Sequence, residues 1–353
     1  METKETLALV QGQAQIWQQM IGSVDSMALK CAVELRIADI IHSHGGPITL
    51  RQIASGIDST SPNIPYLARI MRLLVCKNIF TEQHQPVDSG EETLYGLNQA
   101  SRLLLHDAEL SLAPMVLLRN HPWLLAPLHW LSQCVKEGGT AFNKAHGCEI
   151  WDFTSKNPEF NNIFNDGMAC TTKIVMRVIL AEYKDGFGCV GSLVDVAGGT
   201  GGTIAEIVKA HKHMRGINFD LPHVVATAPM HEGVSHFGGD MFESIPNADA
   251  ILIKWVLHNW SDEHCIKILE NCRKAIPEKS GKVIIVDIVV EKDGNDLFDE
   301  TRMVFDLTMM AYTAGGKERT ELEWKKLLEE AGFGRYKIIK IPAIQSIIEA
   351  YPN

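Results

Sequence analysis

The chain has 353 residues, of which 46% are hydrophobic, and its formal net charge is −10 at pH 7. This length predicts two domains, or one large domain with an appendage, and the apolar fraction is ample for a buried core. Because the charge is acidic and no cluster of Lys and Arg is visible, binding to nucleic acid or to an anionic membrane is not expected.

The N-terminal segment METKETLALVQGQAQ lacks the apolar core of a signal peptide. No apolar run approaches the roughly 20 residues that a membrane span needs. The eight cysteines are scattered and form no C-x-x-C pair. The sequence therefore predicts a cytoplasmic protein with reduced thiols and no zinc site.

Residues 1–110 are predicted to form a mostly helical domain. Apolar residues recur at spacings of three and four over residues 8–42, and helices are also predicted in ITLRQIASGI and NIPYLARIMRLLVCKNIF. The short β-like pieces FTE and TLYGL that follow predict a two-stranded wing, and hence a winged helix. DNA binding is the alternative that this fold raises. The helix over 63–80 is apolar on too many sides for that role, which favours packing against another subunit.

Residues 111–353 are predicted to form a second domain of the α/β class. Its first part, up to residue 190, is helical and dense in aromatic residues and methionines, which serve either as core or as the wall of an apolar pocket. The strand-like runs SLVDV, GINFDLP, ADAILIKWVL and GKVIIVDIVV then alternate with helical stretches. This alternation predicts a parallel sheet covered on both faces.

A glycine loop follows the first of these strands, in LVDVAGGTGG. Gly198 and Gly199 allow a tight turn and the close approach of a ligand. Asp220, at the end of the next strand, is placed to accept hydrogen bonds from ribose hydroxyls, and Asp240 supplies a third acid. Asp195, just before the glycines, suits the cationic methionyl end of S-adenosylmethionine and would repel the pyrophosphate of NAD(P), the alternative cofactor.

A histidine lies just past another strand, in IKWVLHNWSDEHC. His258 is expected at the carboxyl edge of the sheet, where ligands bind in open α/β folds. A neutral histidine can take the proton of a phenol, whose pKa is near 10. Either Asp287, which ends the next strand, or Glu318, in GGKERT, is placed to accept a hydrogen bond from the other imidazole nitrogen. This constellation predicts a base-catalysed reaction without a metal.

Five segments together resemble the plant phenolic O-methyltransferases of the caffeic acid and isoflavone type: LVDVAGGTGG, INFDLPHVV, GGDMFESIPNADAILIKWVLHNWSDEHCIKIL, GKVIIVDIVV and GGKERTELEWKKLLEEAGF. The resemblance implies a Rossmann-like methyltransferase domain that binds S-adenosylmethionine, with an N-terminal winged-helix domain that builds a homodimer. It also implies that His258 is the catalytic base, flanked by Asp287 and Glu318. Retention of these three residues favours O-methylation over N-methylation, decarboxylation or hydroxylation.

The resemblance also implies a set of cofactor-binding residues. Asp220 matches the ribose acid, Asp240 and Met241 the adenine contacts, and Trp260 the aromatic side chain near adenine. The full set is Asp195, Ala197, Gly198, Gly199, Asp220, Leu221, Asp240, Met241, Phe242, Lys254, Trp260 and Thr172.

Two positions depart from the family pattern. Ala197 stands where the family has the first glycine of its loop, and its methyl group is tolerable if its φ is negative. Asn259 replaces the aspartate that follows the histidine, which removes one negative charge beside the base. Proton removal still depends on His258.

The acceptor is predicted to be a phenolic ring system larger than a single catechol. SMALKCAVELRIADIIHSHG and IPAIQSIIEAYPN resemble enzymes acting on norcoclaurine and related benzylisoquinolines, which favours an alkaloid slightly over a flavonoid. Asp166 and Asp306 are candidates to pair with an alkaloid amine, and Arg119 with a carboxylate. The residues implied to wall the acceptor site are Leu118, Trp123, Trp151, Phe160, Phe164, Met168, Thr171, Met309 and Thr313.

Overall fold

The computed structural model of the chain describes residues 2–87, 90–291, 294 and 296–353. The chain divides into two compact units. The first comprises Met1–Pro122 and Glu159–Thr171, and the second comprises Trp123–Pro158 and Thr172–Asn353. The boundary between residues 110 and 111 that the sequence suggests stays a prediction.

The first unit follows the predicted order of helices and a β-hairpin. Strand β3 pairs antiparallel with both β1 and β2. The tip of the predicted wing, residues 88–89, lies outside the described residues. The elements are α1 (Glu2–Glu34), α2 (Ile37–Ser43), β1 (Ile48–Thr49), α3 (Leu50–Gly56), α4 (Ile64–Cys76), β2 (Phe80–Val87), β3 (Gly90–Leu97), α5 (Gln99–Arg102) and α6 (Ala113–Arg119).

Local sequence signals set the helix starts in this unit. Thr49 accepts from the backbone of Gln52, whose side chain accepts from the backbone of Thr49, so α3 begins at a capping box. Asn63 caps α4, which has proline in its first turn. Apolar faces of α1 to α4 then meet in one core, in which Ile53 and Met71 are fully buried.

The second unit begins with short helices and then alternates strands with helices. Its helices are α7 (Pro122–Leu125), a 3₁₀ turn (Ala126–Trp130), α8 (Leu131–Glu137), α9 (Ala141–His146), α10 (Ile150–Lys156), α11 (Pro158–Glu182, shared with the first unit), α12 (Lys184–Phe187), α13 (Gly202–Ala210), α14 (Pro222–Val225), a 3₁₀ turn (Leu257–Asn259), α15 (Asp262–Ala275), α16 (Asp299–Tyr312) and α17 (Glu321–Glu330). Its strands are β4 (Ser192–Val196), β5 (Arg215–Asp220), β6 (Val234–Gly238), β7 (Ala250–Lys254), β8 (Lys282–Asp287), β9 (Val289–Val290), β10 (Arg319–Thr320), β11 (Phe333–Lys340) and β12 (Ser346–Pro352).

Seven of these strands form one sheet in the order β11-β12-β8-β7-β4-β5-β6. Strands β4 to β8 are parallel, as predicted, but β12 runs antiparallel to both β8 and β11. The sheet is therefore mixed: the four strands for which a parallel arrangement was predicted are parallel, and the antiparallel pair β11 and β12 is an addition that the sequence pattern did not predict. The connection over 341–345 is short enough only for a reversal, whereas a parallel neighbour needs a crossover of a dozen residues or more.

The central strands are buried on both faces, which is why they are nearly continuous apolar runs in the sequence. Val194, Ile251 and Ile285 have no exposed surface. Within the described part of the chain, no helix has the length and apolar character to cross a membrane.

Candidate active site

Ionisable side chains gather at the carboxyl edge of the large sheet. Asp195 lies in β4, Asp220 ends β5, and Asp240 follows β6 by two residues. His258 follows β7, and Asp287 ends β8. Because these five strands are parallel neighbours, their carboxyl ends meet at one edge, where open α/β sheets bind ligands.

The glycine loop is fastened by the strand beside it. Gly199 N donates to Asp220 Oδ2 at 2.8 Å, and Leu221 N donates to Asp220 Oδ1 at 2.7 Å. Asn218 Nδ2 donates to Gly199 O at 2.8 Å. The sequence analysis missed Asn218, although it lies two residues before Asp220 on the same face of the strand.

Ala197 has a φ of +54°, so the condition under which its methyl group would be tolerated without strain is not met. The left-handed conformation brings the Cβ of an alanine close to its own carbonyl oxygen, at a cost of about 1–2 kcal/mol. Gly198 has no room for a side chain, because a Cβ there would lie 2.3 Å from Asn218 Oδ1 and 2.7 Å from Asp195 Oδ2. The strain at Ala197 is therefore part of the turn that brings the chain over these two side chains.

Two acceptor atoms beneath this loop remain unsatisfied. Asp195 is 2% exposed, and neither its Oδ2 nor Asn218 Oδ1 accepts a hydrogen bond from any described residue. Burial raises the pKa of Asp195 to about 7, and Asp220 adds to this shift while Lys254 opposes it. The backbone of Ile204 donates to this carboxylate, but Oδ2 has no donor. A buried acid with one oxygen unsatisfied fits a ligand that carries positive charge, as the methionyl end of S-adenosylmethionine does.

The remaining residues of the predicted cofactor set fall into two groups. Asp240 Oδ1 accepts from Phe242 N at 2.8 Å, and the Phe242 ring meets Trp260 edge to face at 4.9 Å. Lys254 Nζ donates to Thr172 Oγ1 at 3.1 Å. Met241, next to Asp240 in the chain, is half-buried, and Leu221 is 44% exposed. Their roles toward a cofactor stay predictions.

His258 lies in a three-residue 3₁₀ turn directly after β7 and is 5% exposed. Its Nδ1 is 2.8 Å from Glu318 Oε1 and 3.6 Å from Asp287 Oδ1. Of the two acids left open by the sequence, Glu318 is therefore the hydrogen-bond partner, whereas Asp287 lies at ion-pair distance. Because a carboxylate only accepts, Nδ1 carries the proton and Nε2 is the basic nitrogen.

The two acids beside His258 are both buried. Burial raises the pKa of Asp287 to about 6, His258 lowers it, and the negative charge of Glu318 raises it further. Two carboxylates close to one imidazole, in a site with little water, favour the imidazolium form once the ring accepts a proton. The arrangement therefore suits a base that gains charge during a reaction.

Two further contacts hold this group in place. Trp255, which has a φ of +55°, stacks on the imidazole with ring centroids 5.9 Å apart and planes at 22°. Asp306 Oδ1 accepts from Glu318 N at 2.9 Å, and Asn259 Nδ2 donates to Trp255 O at 3.3 Å. The sequence analysis did not single out Trp255, and it considered Asp306 only as a partner for an amine.

Within the described residues, one group of three His, Cys, Asp or Glu side chains has ligand atoms that all lie within 4.8 Å of one another. It consists of His258, Asp287 and Glu318. The same three residues are the predicted base and its acids, so a metal ion there would occupy the nitrogen and oxygens that the reaction needs. That the protein needs no metal stays a prediction.

Five of the residues expected around the acceptor belong to the first unit. Leu118 and Phe160 are buried, with 1% and 0% exposure. The ring of Phe160 lies 6.1 Å from that of Phe164, and Thr171 Oγ1 donates to Met168 O. Contact of these side chains with an acceptor stays a prediction.

The other four belong to the second unit. Trp123 meets Phe153 edge to face at 5.4 Å. Thr313 Oγ1 donates to Met309 O at 2.9 Å, and both of these residues are buried, whereas Trp151 is 41% exposed. Their role in acceptor binding stays a prediction as well.

Comparison with known proteins agrees with this geometry. The profile of the O-methyltransferase domain matches residues 128–334, and that of the O-methyltransferase dimerisation domain matches residues 17–107. The chain is 60% identical to desmethylxanthohumol 6'-O-methyltransferase of Humulus lupulus, over 97% of this chain and 99% of that protein. It is 56% identical to (R,S)-reticuline 7-O-methyltransferase of Papaver somniferum, over 98% of each.

Solved structures share the fold. Human N-acetylserotonin methyltransferase in complex with S-adenosylmethionine superposes with a TM-score of 0.84 at 21% identity, over 97% of this chain and 98% of that one. The chain belongs to the S-adenosylmethionine-dependent O-methyltransferases. The predictions of the family, the fold class, the enzyme class and the cofactor are thereby confirmed.

Proposed function

We propose that the protein methylates a phenolic hydroxyl of a plant secondary metabolite and that His258 is its general base. The hydrogen bond from His258 Nδ1 to Glu318, at the edge of the sheet that carries the glycine loop, supports this proposal most strongly. S-adenosylmethionine, when bound, supplies an electrophilic methyl group on a positively charged sulfur. His258 Nε2 takes the phenol proton as the oxygen attacks, and Glu318 and Asp287 stabilise the imidazolium.

The glycine loop and the acids beside it hold the cofactor in this proposal. Asp220 accepts from the ribose hydroxyls, since a carboxylate has lone pairs left after two backbone hydrogen bonds. Asp195 lies beside the cationic end, and Phe242 and Trp260 lie beside adenine. These side chains bind and orient, so that the acceptor oxygen meets the methyl group in line.

The acceptor in this proposal is a phenol of more than one ring that carries neither an amine nor a carboxylate. Asp306, one candidate partner for an amine, is already bonded to Glu318 N, and Asp166, the other, is exposed on α11. The higher of the two identities reported above is to an enzyme named for desmethylxanthohumol, and this also moves the preference from an alkaloid to a flavonoid-type phenol. A benzylisoquinoline is the second candidate, supported by the 56% identity to the reticuline enzyme.

A competition assay tests the acceptor. Desmethylxanthohumol, reticuline and caffeate share one tube with labelled S-adenosylmethionine, and products are counted by mass. We expect kcat/KM to fall in that order. Asp166→Asn is the matched variant and should leave the order unchanged. A win for caffeate, or a loss of about tenfold for reticuline alone in Asp166→Asn, would contradict the neutral-phenol proposal.

The reaction proposed here uses no metal, because the three residues that could bind one are the base and its acids. Saturating EDTA should leave kcat unchanged. Loss of activity in EDTA, with recovery on adding Mg²⁺, would contradict the proposal. His258→Ala is the control, since its residual rate should be equally insensitive to EDTA.

We further propose that the first unit forms a homodimer in the cytoplasm. The profile of an O-methyltransferase dimerisation domain covers residues 17–107. On α1, Leu9, Ile16 and Met20 are 73%, 67% and 60% exposed, and their spacing places them close to one face of the helix. Apolar surface of this kind is typical of an interface with a second copy. All eight cysteines are free thiols, as the cytoplasm favours.

Light scattering at micromolar concentration tests the dimer and should give about twice the chain mass of 39.2 kDa. Ile16→Glu combined with Met20→Glu should give monomers. Leu322→Glu, at an apolar residue on α17 that is 78% exposed, is the matched control and should stay dimeric. A wild-type protein that scatters as a monomer would contradict the proposal.

A further inference from the structure

A buried guanidinium lies next in sequence to the acid that orients the base. Arg319 follows Glu318, begins β10 and has no exposed surface. Its Nη1 donates to Leu257 O at 3.1 Å, and its Nη2 donates to Trp260 O at 3.0 Å. Its Nε and Nη2 also bond to Asp262 Oδ1 at 3.0 and 2.8 Å.

The two carbonyls that Arg319 binds lie on either side of His258 in the chain. Leu257 precedes the histidine, and Trp260 follows it by two residues. The turn is a 3₁₀ helix of three residues with two backbone hydrogen bonds, from Asn259 N to Val256 O at 3.0 Å and from Trp260 N to Leu257 O at 3.2 Å, and 3₁₀ hydrogen bonds have poorer geometry than those of an α-helix. One rigid side chain thus ties both ends of the turn that carries the base.

The loop before Arg319 also lies directly against this turn. A Cβ at Gly316 would be 2.5 Å from His258 O and 2.9 Å from the carbonyl carbon of Asn259. Gly315 has a φ of +80°, and a Cβ there would be 3.0 Å from Ser261 Cβ. The two glycines of the GGKERT loop therefore have no room for a side chain where the loop packs against the His258 turn. Arg319, in the same loop segment, makes the hydrogen bonds to this turn.

Arg319 also contributes charge to the site. Its positive charge lowers the pKa of Asp287, opposing the effect of burial. A fixed positive charge near the imidazole also disfavours its protonation before the acceptor arrives. The charged and titratable groups around the His258 turn include Lys317 and Glu318 in the GGKERT loop, Arg319 on β10, Asp287 on β8, Lys254 on β7, Asp262, His264 and Cys265 on α15 and Asp306 on α16.

We propose that Arg319 is a positioning residue for the methyl transfer: it holds the His258 turn and Glu318 in register, so that Nδ1 stays on Glu318 and Nε2 faces the acceptor. This inference rests on the proposed role of His258 as general base. Arg319 makes no contact with substrate in this account and acts through the backbone on both sides of the base.

Arg319→Met and Arg319→Lys test the proposal, with Arg302→Met as matched control. Arg302 is likewise a buried arginine that bonds two backbone carbonyls, Ile344 O and Ala343 O, and an acid, Asp299. In Arg319→Met we expect kcat to fall about 10- to 100-fold with KM for S-adenosylmethionine within about threefold. In a plot of log kcat against pH, the acid limb should move to higher pH by about half a unit or more, because removal of a positive charge favours the imidazolium.

The control and the lysine variant separate positioning from stability. Arg302→Met should lower the melting temperature about as much as Arg319→Met, with its acid limb unmoved. Arg319→Lys keeps the charge but loses the forked geometry, so its acid limb should stay near the wild-type pH while kcat is intermediate. If Arg319→Met does not fold, the kcat and pH profile of Arg319→Lys still decide the question.

Two outcomes overturn the inference. One is an acid limb that stays in place in a folded Arg319→Met. The other is a fall in kcat no greater than that of Arg302→Met at equal melting temperature. Failure of the proposed function would give a different result, because His258→Ala would then keep its activity whatever the Arg319 variants do.

Discussion

The turns that follow β4 and β7 lie at the same edge of one sheet, yet the acid beside the first turn and the imidazole in the second are held in different ways. After β4, Ala197 is in the left-handed region, and Asp195 Oδ2 accepts nothing from the described residues. After β7, His258 is bonded to Glu318, and the carbonyls around it are bonded to Arg319.

This difference matches the separate roles proposed for the two turns, cofactor binding after β4 and proton removal after β7. A catalytic base has to be oriented before the reaction, so the hydrogen bond of His258 Nδ1 is already made, although Asp287 Oδ2 and Trp255 Nε1 beside it have no hydrogen-bond partner among the described residues. A site for a cationic cofactor gains most if its charge and acceptors are satisfied only when the ligand binds, and it is less stable until then. We therefore expect the two turns to respond differently to mutation.

The largest effect is expected at the base. His258→Ala should lower kcat by about 10²–10⁴, which is typical for the loss of a general base. Affinity for S-adenosylmethionine should stay within about threefold, because Asp195, Asp220 and Asp240, the acids proposed to bind it, lie on or after other strands. Calorimetry and initial rates at pH 7.5 measure both. A variant that retains more than half the wild-type kcat would show that another group takes the proton.

The next largest effect is expected for Asp195→Asn, which replaces a buried acid by a neutral amide. The folded pKa of about 7 lies above the unfolded value near 3.9. The stability that Asp195 contributes is thus fully present below about pH 4 and is lost as pH rises through 7. Without cofactor, Asp195→Asn should be more stable than the wild type at pH 8, by about 1–3 kcal/mol, and the difference should shrink below pH 7 and be lost by about pH 4.

The same variant should bind S-adenosylmethionine at least about tenfold more weakly, since a charged acceptor is worth about 1.5–3 kcal/mol. Asp249→Asn, at another aspartate that accepts hydrogen bonds near the opposite end of β4, is the control for loss of an acid. If Asp195→Asn is less stable at pH 8 and binds as well as the wild type, the contrast between the two turns is wrong.

The smallest effect is expected at Ala197. Replacement by glycine removes the strain of a φ of +54° but adds freedom to the unfolded chain, so we expect about 0.5–1 kcal/mol of added stability. Ala205→Gly, within α13, is the matched control and should lose about 1 kcal/mol. Urea unfolding measures both, and a loss of stability in Ala197→Gly would mean that its methyl group packs usefully.

Much of this site could be predicted from sequence because strand ends carry a strong signal. His258, Asp287 and Asp220 each follow or end an apolar run, and parallel strands bring such positions to one edge. The choice between Asp287 and Glu318 could not be made, since it depends on a difference of less than 1 Å in the distance from Nδ1. Arg319 was missed because two of its partners are backbone carbonyls, which leave no pattern in the sequence, and because Asp262 lies 57 residues away.

Some elements of the fold could likewise be predicted from the sequence, and others could not. Runs such as SLVDV and GKVIIVDIVV predicted β4 and β8, whereas the β11–β12 hairpin was missed because its first strand, FGRYKIIK, mixes a glycine and three cationic residues with its apolar ones and has no clear period. The positive φ of Ala197 could not be predicted for a related reason. Propensity favours a negative φ for alanine, but the close approach of the chain to Asn218 and Asp195 overrides it.

The dependence of rate on the acceptor's own acidity tests the central claim most directly. Wild type and His258→Ala are compared on one phenolic scaffold whose substituents lower the phenol pKa from about 10 to below the assay pH. If His258 removes the proton, the ratio of the two kcat values should shrink from about 10²–10⁴ toward 1 along the series, because a phenolate already formed needs no base. A ratio that stays constant from the weakest to the strongest acid would contradict the account, since His258 would then act through something other than proton removal.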